Sequence, residues 1–60
     1  MRHYTLIELF HLSQDELFGL HRWFTSNLTG LPGDAPEYPV ITSNLRKVRQ
    51  VLAIKRLFLG

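Results

Sequence analysis

Sixty residues with no cysteine leave room for one domain and exclude both a disulfide framework and a Cys-based zinc staple. A chain this short hides only roughly 60% of the surface its unfolded form exposes, so tight helix packing or self-association must supply the stability. Charge is unevenly spread: residues 42–60 carry Arg46, Lys47, Arg49, Lys55 and Arg56 with no acid, whereas residues 1–41 set Arg2 and Arg22 against Glu8, Asp15, Glu16, Asp34 and Glu37, which points to association rather than to a reaction.

The opening residues are basic at Arg2, but Glu8 interrupts the apolar run and no small-residue cleavage site follows, so a secretory signal is not expected. No apolar stretch approaches the roughly 20 residues needed to cross a bilayer. A cytoplasmic protein is the expectation. Thr5-Leu6-Ile7-Glu8 has the spacing of a capping box, in which the Thr hydroxyl accepts from the N3 amide and the Glu carboxylate reaches back to the N-cap amide, with Tyr4 and Leu9 as a hydrophobic staple. The same grammar returns at Ser13-Gln14-Asp15-Glu16, flanked by Leu12 and Leu17. These signals predict a short helix over Leu6–His11, a kink, and a main helix over Gln14–Leu28 that Gly30 caps.

Residues 29–39 read as a loop, since Gly30, Pro32, Gly33, Pro36 and Pro39 each disfavour a continuing helix. A second long helix is predicted over Val40–Phe58, with Pro39 in its first turn or Thr42 or Ser43 as a later cap. On the first long helix Leu17, Leu20, His21, Phe24 and Leu28 share one stripe, with Trp23 and Phe18 on its two flanks; on the second, Ile41, Leu45, Val48, Leu52 and Leu59 do the same. These stripes should meet. The fold expected over residues 1–60 is therefore an all-α, antiparallel helical hairpin in a single domain.

The C-terminal helix has more apolar surface than this contact uses, because Val40, Val51, Ile54 and Phe58 form a neighbouring ridge. Either residues 4–12 fold back over it, or a second copy covers it in a four-helix arrangement. The functional expectation is a non-enzymatic interaction module that binds a protein partner, or itself, through Phe18, Trp23, Val51, Ile54 and Phe58, beside a basic helix. The alternative is nucleic-acid binding, with Arg46, Arg49 and Arg56 on phosphates and Asn44 and Gln50 reaching base edges. Against it, the proline-rich loop is too long for a compact helix-turn-helix.

Other chemistries find little footing. His3, His11 and His21 lack the i, i+4 spacing of a two-histidine helical metal site, and His21 reads as a hydrogen-bonded boundary residue. Glu8, Asp15 and Glu16 are accounted for as helix-start residues, Ser13, Ser26 and Ser43 have no triad context, and Gly30-Leu31-Pro32-Gly33 is no phosphate loop. No cofactor, metal or small-molecule substrate is expected. The amphipathic basic helix would also suit a membrane surface, but it has a complementary apolar stripe waiting in the same chain.

Overall fold

A computed structural model of the protein describes residues 2–59, the side chain of residue 59 excepted. Three helices, α1 (Leu6–Phe10), α2 (Gln14–Thr29) and α3 (Tyr38–Leu59), account for all the regular structure among these residues. Both capping boxes form as the spacing predicts. Thr5 Oγ1 accepts from the Glu8 amide while Glu8 Oε1 accepts from the Thr5 amide, each at 3.1 Å, and Ser13 and Glu16 repeat the exchange at the start of α2. The helix ends differ from the expected ones by a residue or two. Gly30 caps α2 in the right-handed region, so the conformational freedom of glycine is not what stops the helix there.

Between α2 and α3 the loop makes two successive turns, Ala35 donating to Pro32 O and Tyr38 to Ala35 O. Helix α3 starts at Tyr38, two residues ahead of the predicted Val40. Pro39 lies in the first turn, where its fixed φ suits a helix and its missing amide leaves nothing unsatisfied. The later caps at Thr42 and Ser43 are accordingly not used, and Thr42 Oγ1 instead donates back to Pro39 O at 3.0 Å.

The hairpin of α2 and α3 is antiparallel. Gln14 at the start of α2 lies beside Ala53 and Arg56, His21 beside Arg49, and Leu28 beside Thr42 and Leu45. Leu17 and Phe24 from α2 meet Ile41, Leu45 and Val48 from α3 in the core, with Leu20, Leu28, Leu31 and Leu52 packed around them. The expected place of Leu59 at the end of this stripe lies outside the described side chains.

The N-terminal segment runs parallel to α3, on a side of that helix that α2 leaves open. A five-residue helix is far too short to persist alone in water. It persists here because α3 holds it by side chain to backbone bonds. Asn44, fully buried, accepts from the Tyr4 amide through Oδ1 and donates from Nδ2 to Arg2 O, both at 2.9 Å. Lys47 Nζ donates to Tyr4 O at 2.9 Å, and Lys55 Nζ donates to Leu12 O. Leu9 and Val51 close the interior between these polar ties, and both are fully buried.

At the free edge of the segment, Arg2 pairs with Glu8 at 2.7 Å and stacks over the Tyr4 ring, 4.2 Å from its centroid. Hydrogen bonding from Arg2 and then from Thr5 pulls the Glu8 carboxyl down from an ordinary value near 4.5 to about 2. Tyr4 in turn meets the buried Phe24 edge-on at 5.8 Å, so the same few residues join all three helices.

Removing the side chain of Asn44 leaves a peptide N–H and a C=O without partners, so Asn44→Ala should lower folding free energy by about 2 kcal/mol in urea denaturation; a loss under about 0.5 kcal/mol would mean that the N-terminal segment is not tied there. Because the Glu8 carboxyl binds its proton less tightly in the folded chain, its stabilising effect is complete above about pH 4.5 and disappears as pH falls through about 2. Glu8→Gln keeps a side-chain acceptor for the Thr5 amide and should flatten the acid limb of a denaturation midpoint measured against pH over that window.

Candidate functional site

Rotation about α3 sorts its side chains into three faces at roughly 100° per residue. Ile41, Leu45, Val48 and Leu52 face α2; Asn44, Lys47, Val51 and Lys55 face the N-terminal segment; Arg46, Arg49, Ala53 and Arg56 remain exposed. This partition divides the five C-terminal cations by role. Lys47 and Lys55 hold backbone carbonyls, whereas the three arginines lie exposed along one line. Among the described residues the ion pair is Arg2–Glu8, and none of Arg46, Arg49 and Arg56 meets a carboxylate.

Several expected site residues lie elsewhere. Val51, expected on a partner surface, is instead covered by α1 and fully buried in the chain's own core. Ile54, on the same side, is half-buried. Of that ridge, Phe58 alone stands well clear, 81% exposed in the last turn of α3, beyond the level at which Lys55 ties down Leu12. Folding back of residues 4–12 covers the ridge at Val51 and leaves Phe58 open. Asn44, expected at base edges, is sealed inside and bonded to the backbone of residues 2 and 4, so it lies on no nucleic-acid face.

Phe18 and Trp23 do not share a surface. Five residues of helix separate their directions by roughly 140°. Trp23, 52% exposed, lies edge-on to Phe24 at 5.4 Å and forms the rim of the core on the Tyr4 side. Phe18, 54% exposed, faces the opposite side, toward the arginines.

On that side the seam between α2 and α3 opens into a solvent-accessible trough made of two adjoining hollows. The first, about 540 Å³, is lined by Gln14, Phe18 and His21 from α2 and by Arg49, Leu52, Ala53 and Arg56 from α3. The second, about 450 Å³, is lined by Leu28 together with Thr42, Leu45, Arg46, Arg49 and Gln50. Arg49 stands between them, its Nε donating to His21 Nε2 at 3.4 Å. His21 is half-buried, as expected of a boundary histidine. Gln50 is exposed beside Arg46 and Arg49, the one polar side chain of the expected nucleic-acid set still grouped with the arginines. The sequence pattern marked Phe18 and the Arg line separately, and it missed that His21, Leu28 and Leu52 join them in one concavity.

Further exposed apolar side chains are Leu6, Ile7 and Phe10 on α1, Ile7 at 72%, and Leu57 and Phe58 on the final turn of α3. Among the described residues no three His, Asp or Glu side chains gather where a metal ion could be held. No helix among them is long and apolar enough to cross a membrane. No protein-family model, curated protein or solved structure matches the chain.

The burial pattern separates two valine-ridge residues that the sequence placed together. Val51→Ala should cost about 2 kcal/mol of folding free energy and Phe58→Ala under about 0.5 kcal/mol, measured by thermal or urea denaturation of dilute protein. Equal effects would mean that the N-terminal segment does not cover α3.

Proposed function

We propose that this chain is a small, non-enzymatic docking module of the cytoplasm whose partner-binding surface is the trough between α2 and α3. The observation that carries this reading is the coincidence, in one concavity, of an apolar lining from Phe18, Leu28 and Leu52 with Arg46, Arg49 and Arg56, none of them engaged by an acid among the described residues. Arginine and large aromatics are the residue types that dominate interface hot spots, and hollows lined by both suit a protein ligand. Binding energy would come chiefly from covering Phe18 and Leu52, while the cations set orientation and speed the encounter.

The nucleic-acid alternative has less behind it. A phosphate backbone gains nothing from an apolar floor, and one of its two expected base-contacting residues, Asn44, is inside the fold. Self-association has support at Phe58, which stays 81% exposed, but not at Val51. Val51, at the centre of the ridge that called for a second copy, is covered within one chain.

Replacing Ala53, exposed in the trough, by the photo-crosslinking residue p-benzoylphenylalanine tests the proposal in the cells that express the protein. A protein adduct should form from position 53 and not from Ser26, exposed on the far side of α2, and should be lost when Phe18→Ala or the combined Arg46→Gln, Arg49→Gln and Arg56→Gln changes are added. Adducts that vanish on nuclease treatment, or that form equally from position 26, would refute a protein-docking trough.

A further inference from the structure

Resting on the docking reading above, we infer that the trough between α2 and α3 receives an acidic amphipathic helix of about four turns. Charge comes first. The α3 lip presents Arg46, Arg49 and Arg56, the α2 lip contributes Gln14, Phe18, His21 and Leu28, and no carboxylate lines either hollow. The nearest acids in sequence stand in the first turn of α2, where Glu16 is bonded to the Ser13 amide. The concavity is therefore a cationic strip beside an apolar floor, and its complement is a ligand with a line of carboxylates beside an apolar face.

Length and shape select a helix. From Gln14 to Leu28 the α2 lip is about 21 Å long at about 1.5 Å per residue, the span of a 14-residue helix. The described elements are all helical, so there is no strand edge on which an extended peptide could add backbone bonds. A helix laid in a groove needs only side-chain anchors, and here they are Phe18 and Leu52.

The arginine line also fixes the spacing of the ligand's acids. Along α3 the three guanidinium groups start from positions separated by three and then seven residues. Carboxylates at i, i+3 and i+10 of a partner helix repeat those rises, about 4.5 and 10.5 Å, and fall within one face of it. Arginine suits this task because its planar fork meets a carboxylate through two parallel bonds.

Synthetic helical peptides of sixteen residues test the inference by direct titration against the whole protein. One carries Glu at i, i+3 and i+10 beside a Leu face, a second of identical composition carries the Glu residues on the opposite face, and a third has Lys in place of Glu. A duplex oligonucleotide of similar length is the fourth probe. The matched Glu peptide should bind at least tenfold more tightly than the other two and than the duplex. The combined Arg46→Gln, Arg49→Gln and Arg56→Gln variant, and separately Phe18→Ala, should each weaken it about tenfold, with far-ultraviolet circular dichroism confirming that both variants keep their helix content. Tighter binding of the duplex, or indifference to where the Glu residues lie, would overturn the inference. If the Phe18-dependent adduct at position 53 forms in cells but the matched peptide neither binds nor competes for it, the acidic helix is rejected and the docking trough stands; if neither is seen, both fall.

Discussion

The structure depends on one buried amide. Among the described residues Asn44 is the fully buried polar side chain of the core, and it is satisfied from both ends by the peptide backbone of residues 2 and 4. A polar group in that position would be costly without partners, so the N-terminal segment must lie against α3 for the helix to be buried on that side at all. The dependence is mutual. Leu6–Phe10 is too short to hold a helix by itself, and its capping box, the Arg2–Glu8 pair and the ties to Asn44, Lys47 and Lys55 together set it in place over Val51.

That placement decides which surfaces are left. Helix α3 has three faces; α2 takes one and the N-terminal segment takes another, so the arginine face is the one that stays open. The two lysines of this helix donate to Tyr4 O and Leu12 O, which removes them from any recognition surface. Three arginines remain, and they border the two adjoining hollows of the trough, the first of which Phe18 lines with Arg49 and Arg56. The excess of positive charge in the last third of the chain thus has two separate uses, one internal and one outward.

Much of this was legible in the residues, and the reasons are local. Thr5-x-x-Glu8 and Ser13-x-x-Glu16 announce helix starts through interactions that span three residues, and the Pro/Gly cluster announces the loop in the same way. The stripe running through Leu17, Phe24, Ile41, Leu45 and Val48 is periodic, so the hairpin and its core follow from helical spacing. What stayed hidden was contact between distant segments. Asn44 has the look of an exposed polar residue on a basic helix, and only the arrival of residues 2–4, some forty positions away, turns it into an interior anchor. Val51 and Phe58 are equivalent by periodicity and differ only because α1 stops short of the last turn. Helical spacing already sets Phe18 and Trp23 on opposite flanks, and what it leaves hidden is that Tyr4 packs on Phe24 beside Trp23.

The measurement that bears most directly on this account is amide hydrogen exchange at Tyr4, followed by NMR in dilute monomeric protein. Tyr4 precedes α1 and has no helical partner for its N–H, so the bond to Asn44 Oδ1 is what would slow its exchange. Protection of that amide within tenfold of the protection at Val48, lost in Asn44→Ala, is the expected result. Exchange at the rate of an unstructured chain would show that the N-terminal segment is not held on α3, and with it the division of that helix into two covered faces and one open face would fail.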